Sequence, residues 1–231
     1  MSNATETSPA PPERGRAFSF PIRGRKAIEL LLTAQYPTVS RLSHGLCGDG
    51  AEAVTRKVLS KSLTAIERFK GPVEAGNWYL HHTILESRHV ERAAVNWPWP
   101  GVEEPDLQAF FKAFGSLPFQ QREAFLLSYG EKMDLRATAV AMDCSTTAAQ
   151  THLSAAEQSL AKLSGDNFEG LRARFAEAYR ASPPPGDLVI AGTSRRHARK
   201  RFWLRMLRLI QLLIAAGALV LAWRIYRSMS P

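Results

Sequence analysis

Cysteine is scarce in this chain, with two among 231 residues, Cys47 and Cys144. Two such distant thiols make neither a disulfide framework nor a metal site of closely spaced ligands, and they fit reduced thiols in a cytosolic body. Also missing are a Gly-rich phosphate loop, a nucleophile elbow and a His-Glu-x-x-His zinc motif, so the enzyme classes built on them are excluded. Acidic residues are absent from the tail: from Arg195 onward there are nine Lys and Arg and no Asp or Glu. Those nine account for the whole formal net charge of +9, and the 21 basic residues upstream balance 21 acidic ones. The basic balance therefore does not carry its usual implication of a nucleic-acid-binding body. No apolar run occurs in the opening MSNATETSPAPPERGR, which argues against a signal or transit peptide, and residues 1–26 are expected to be a disordered tail.

The tail does hold one long apolar run. Leu209 to Trp223 (LIQLLIAAGALVLAW) carries no charge and one strongly polar residue, Gln211. Fifteen helical residues reach only about 22 Å, short of a ~30 Å hydrocarbon core. Snorkelling Arg208 and Arg224, with Trp203, Trp223 and Tyr226 at headgroup level, extend the expected transmembrane helix to 202–226. RRHARKR at 195–201 far outweighs Arg224 and Arg227 beyond the run, so the N-terminal part is expected in the cytoplasm, with one pass through the cytoplasmic (inner) membrane. The alternative is a basic helix lying on the lipid surface, because Arg201, Arg205 and Arg208 share a face. Residues 181–201, Pro-rich and then basic, are expected to link this helix to the rest.

The most informative stretch runs from Phe114 to Leu163. Leu117-Pro118 opens a helix that Gly130 is expected to end in a left-handed conformation. Asp134 is the expected N-cap of a short helix over 135–142, Asp143-Cys144-Ser145 a turn, and a longer helix then reaches about Leu163. These are the parts of a helix-turn-helix, whose second helix enters a DNA groove. Together with Leu117-Pro118, the residues Gln121-Arg122-Glu123-Ala124, Cys144-Ser145, Leu153, Ala156 and Leu160 resemble the promoter-reading C-terminal domain of extracytoplasmic-function sigma factors. On the second helix Thr147, Gln150, Thr151, His152 and Ser154 are the candidate DNA contacts, since Gln pairs bidentately with adenine and hydroxyls bond phosphates. Basic residues are lacking there: Ala155 and Glu157 stand where the family usually has them. Weak promoter DNA binding is expected from 106–163, with five basic residues against six acidic.

Upstream, Ile28, Leu31, Leu32, Tyr36, Val39 and Leu42 follow helical spacing, with Pro37 a kink or a break. A second helix is expected from Asp49, paired with Glu52 in a capping-box-like way, to Phe69, and a third from Asn77-Trp78 to about Ala94. Gly50-Ala51-Glu52-Ala53 and Trp78 stand where the N-terminal domain of the same sigma family opens its polymerase-contacting helix and its DNA-melting helix. The resemblance implies polymerase contacts at Glu52, Arg56 and Lys57, and promoter melting by Trp78, His81, Arg88 and Arg92. His82, Glu86 and His89 share a helical face but lack the second half of a di-iron pattern, and a solvated polar face is the expectation there.

The chain is thus expected to be all-α: a sigma region 2-like domain (27–94), a linker (95–105) with Trp97 and Trp99, a region 4-like helix-turn-helix domain (106–163), an amphipathic helix (164–180) and the membrane helix. It is expected not to be an enzyme and to use no cofactor or metal. The expected function is a membrane-tethered sigma-like transcription initiation factor that binds core RNA polymerase and promoter DNA. The alternative is a membrane-anchored interaction protein on the same scaffold that has lost promoter binding and meets an anti-sigma factor or another regulator.

Overall fold

The computed structural model of the chain describes residues 24–90 and 102–182, with the single positions 20, 22, 206, 210, 211, 214 and 215. Every described element is helical. Three long helices come first: α1 (Arg25–Cys47), α2 (Ala51–Ala65) and α3 (Pro72–Ser87). Pro37 neither breaks nor splits α1, although its ring removes the hydrogen bond to the Thr33 carbonyl, at a cost of about 3 kcal/mol. Leu31, Leu32, Tyr36, Val39, Leu42 and Leu46 are almost wholly buried along one face. At about 1.5–3 kcal/mol each, their burial outweighs the proline defect.

Both following helix starts differ from expectation. The capping pair of Asp49 and Glu52 is not made; Asp49 lies in a 3-10 turn and Gly50 holds the N-cap position without a side-chain bond. A side chain at Gly50 would come within 2.7 Å of Val90, so close packing of chain against chain explains the glycine. Helix α3 begins five residues before Asn77. Pro72 supplies a preset φ in the first turn, and the Glu74 carboxylate accepts from the Lys70 backbone N–H at 2.9 Å.

Helices α4 (Pro105–Ser116), α5 (Phe119–Phe125), α6 (Leu135–Met142), α7 (Thr146–Ser164) and α8 (Phe168–Ala181) complete the order. Helix α5 widens into a π-turn at Leu126–Gly130. Gly130 is not left-handed as expected; that conformation falls on Lys132, at φ 57°. Gly130 instead lies against the Tyr179 ring, which a Cβ would meet at 2.8 Å. Phe110, Phe111, Phe114, Phe125 and Phe175 form one aromatic cluster, with Phe175 centroids 4.5–5.6 Å from the other four. Phe175 and Tyr179 put α8 inside this core rather than on it.

The buried residues of all eight helices form one continuous hydrophobic core. Helix α3 packs on α6, and α1 on α5 and α8. No helix among the described residues is long and apolar enough to cross a membrane. The expected span 202–226 lies outside them apart from five helical positions, and so do residues 95–101 of the first linker, with Trp97 and Trp99, and 183–201 of the second.

Candidate nucleic-acid interface

The helix-turn-helix of α6 and α7 is held by three local devices. Asp134 caps α6, its carboxylate accepting from the Ala137 N–H at 2.7 Å. Asp143 ends α6 in the left-handed region (φ 56°, ψ 49°), and the Cys144 N–H reaches back to the Ala139 carbonyl at 3.0 Å. Ser145 then caps α7, accepting from the Ala148 N–H at 3.1 Å. Small buried residues, Ala139 and Ala141 on α6 and Ala149 and Ala156 on α7, let the two helices approach closely.

This arrangement presents Thr146, Thr147, Gln150, Thr151, Ser154, Ala155 and Gln158, with Leu135 of α6, along an open groove of about 580 Å³. Four of the five expected DNA contacts, Thr147, Gln150, Thr151 and Ser154, therefore share one face. His152 does not line this groove; it is half-buried and near enough for its charge to act on the Glu123 carboxyl. Gln150 donates from Nε2 to Ser154 Oγ at 3.0 Å, and the Thr151 hydroxyl donates to the Thr147 carbonyl at 2.9 Å.

No lining residue carries a formal charge. Glu157, expected on the DNA side, accepts from the Tyr129 hydroxyl, which also accepts from Arg172 at 3.2 Å, with that guanidinium over the Tyr129 ring. Burial first, and then Glu157, push the Tyr129 hydroxyl up to about 12. Glu157 is therefore part of a clamp between α7 and α8 and does not repel DNA from the groove. Of the five basic residues in 106–163, Arg122 is buried, donating to the Leu46 carbonyl at 3.2 Å, while Lys132 and Arg136 are exposed beside the start of α6.

The candidate melting residues meet protein. Trp78 stacks on His82, centroids 3.8 Å apart, and packs edge-on against Tyr79. His81 Nδ1 lies 3.1 Å from the Ala141 carbonyl in α6. Arg88 makes two 2.7 Å bonds to the Glu123 carboxylate and a third, at 2.9 Å, to the Met142 carbonyl. Glu123 is fully buried, and burial pushes its carboxyl above the usual range, against the pull of Arg88. Arg92 lies outside the described residues.

At the candidate polymerase surface Glu52 and Arg56 pair with each other one turn apart, both largely exposed. Lys57 turns to Glu86 at 2.6 Å, and Lys61 joins at 3.3 Å. Burial alone would raise the Glu86 carboxyl, but the two ammonium groups hold it below the usual carboxylate range. His82 and Glu86 of the metal-like cluster are thus engaged with an aromatic ring and with lysines.

Residues 107–160 match the family of sigma-70 region 4. The chain carries a region 4 domain. The match begins inside α4 and ends inside α7, leaving α1–α3 and α8 outside it. No curated protein and no solved structure matches the chain. The groove lies within the matched segment, and sigma-70 region 4 is a family of transcription-initiation domains that is not enzymatic.

The resemblance alone gives Glu123 no task, and the Tyr129–Glu157–Arg172 clamp escapes a reading of the sequence. For Glu123 a signal was available in the carboxylate ahead of the run Ala124-Phe125-Leu126-Leu127, because a charge inside an apolar run needs a partner.

Proposed function

We propose that this protein is a membrane-tethered sigma-like transcription initiation factor of the extracytoplasmic-function type. Its region 4 domain would read a promoter element through α7, its first three helices would meet core RNA polymerase, and the segment 202–226 would anchor it in the cytoplasmic membrane. The observation that carries this reading is the open face of Thr147, Gln150, Thr151 and Ser154, within the matched segment and left unfilled by the described residues. The charge bias around the apolar run supports the anchor. Co-purification of the full chain with core polymerase, followed by run-off transcription from promoters near its own gene, tests it. Polymerase without promoter-directed transcripts, or no polymerase at all, would refute it.

A second reading has its own observation. His81 and Arg88, two of the four residues the resemblance assigns to melting, are bonded to α6 and α5. That favours an interaction protein on the sigma scaffold, partnered by an anti-sigma factor or another regulator. Recovery of such a partner on the full chain without polymerase is its expected result. For the anchor, a reporter fused after Pro231 that works only in the cytoplasm should stay silent.

A further inference from the structure

The open face of α7 is more than a surface that can lie in a groove, because its polar side chains are already partly committed to one another. We infer that Gln150 selects adenine in the duplex, with Ser154 as its positioning residue; this rests on the promoter-reading function proposed for α7. A glutamine amide offers two N–H donors and one carbonyl acceptor. One N–H of Gln150 is taken by Ser154 Oγ at 3.0 Å, four residues on and one turn away. What remains is one donor and one acceptor, facing an open groove. In the major groove adenine alone matches both, with its N7 acceptor and N6 donor; guanine presents two acceptors and would set its O6 against the Gln150 carbonyl oxygen. Thymine and cytosine can satisfy only one of the two.

The surroundings give this contact unusual weight. The groove lining is uncharged, so the face gains little from phosphate neutralisation and must win its affinity from base edges. Gln150 also sits near the start of α7, the part of a recognition helix that reaches base edges. Its neighbour Thr151 already donates its hydroxyl proton to the Thr147 carbonyl, so it can only accept. Pinning the Gln150 amide to Ser154 removes rotamer freedom before DNA arrives, which sharpens discrimination rather than simply adding a contact.

The test is selection of bound sequences from a randomised duplex library by the full chain in detergent. Wild type should enrich adenine over guanine at one position by about ten- to a hundredfold. Gln150→Glu should move that position to cytosine, whose N4 donor suits a carboxylate, and leave the other positions alone. Ser154→Ala should flatten the same position by about three- to tenfold, and Ser154→Thr, which keeps the hydroxyl, should restore it. A merely structural Ser154 would weaken all positions alike, and that pattern would remove its assigned role. An enriched sequence whose adenine position ignores Gln150→Glu overturns the inference and leaves promoter reading standing. If wild type enriches no sequence, promoter reading itself falls and takes the inference with it.

Discussion

Replacing Arg88 with alanine should cost the fold about 3 kcal/mol at pH 8 and much less at pH 5. Glu123 is fully buried, and its carboxylate takes two 2.7 Å bonds from Arg88. Removing one partner of such a pair costs about 3–5 kcal/mol, because the other charge is left unpaired. The Arg88 side chain is 32% exposed, which puts the expectation at the low end. The bond to the Met142 carbonyl goes too, worth about 1 kcal/mol. Burial already raises the Glu123 carboxyl, so the folded chain holds that proton more readily than the unfolded one. Its contribution is complete below the ordinary carboxylate pKa and drains as pH rises through the folded value. Without Arg88 the folded value climbs further and the loss extends to higher pH. As pH falls and the acid takes up its proton it needs no counter-charge, so the cost should shrink toward that of the lost hydrogen bonds, about 1 kcal/mol. Urea titrations of the full chain at the two pH values, followed by circular dichroism, measure this. In a Glu123→Gln background Arg88→Ala should cost about 1 kcal/mol with no pH dependence. A cost below 1 kcal/mol at pH 8, or equal costs at both pH values, would refute a buried charge pair between α3 and α5.

Asp134→Ala and Ser145→Ala should each lower stability by about 1 kcal/mol in urea titrations, since each removes the only side-chain cap of its helix. Phe175→Ala, at the centre of four phenylalanine rings, should cost about 4 kcal/mol, and a fragment ending at residue 163 should melt well below one ending at 182. Wild-type DNA binding should show a shallow slope of log affinity against log salt, about −2 if Lys132 and Arg136 are the phosphate contacts. Ala155→Arg should steepen that slope by about one, whereas Glu157→Arg should mainly destabilise the protein, because it sets a cation against Arg172 and strands Tyr129.

The helices were legible wherever one local signal decided them. Asp134 before an apolar run gave α6 its start, and Ser145 closing a three-residue turn gave α7 its own. Legibility failed where a distant residue decided. Gly130 looked like a left-handed stop, yet its need for a bare Cα comes from Tyr179, 49 positions away in sequence. Pro37 looked like a break because the single lost hydrogen bond is local, while the burial that outweighs it is not. Glu157 failed in the same way: its position on α7 suggested the DNA side, but Tyr129 and Arg172 from two other elements claim it. Spacing was enough to put Thr147, Gln150, Thr151 and Ser154 on one side of α7, because residues three and four apart share a helix side. His152 is one position off that row and falls to the protein side.

The expense of freeing Arg88 separates the two functional readings. The resemblance assigns Arg88 and His81 to melted DNA, but here both are bonded to the helix-turn-helix half. Moving Arg88 onto DNA would leave Glu123 buried and unpaired, at a cost of ~3 kcal/mol. A state that costly is populated on the order of one part in a hundred in the free protein. A partner could make it dominant only by binding the opened form some thousands of times more tightly than the closed one. Promoter DNA alone would be poorly suited to supply that, since the open face of α7 is uncharged and would gain little from phosphates. On the initiator reading, core polymerase bound against α1–α3 would have to supply it. A sigma-like initiator would then open only on polymerase, and Glu123→Gln, by removing the stranded charge, should raise promoter melting in its presence. An interaction protein would keep its halves closed, and Glu123→Gln would change its stability but produce no transcript.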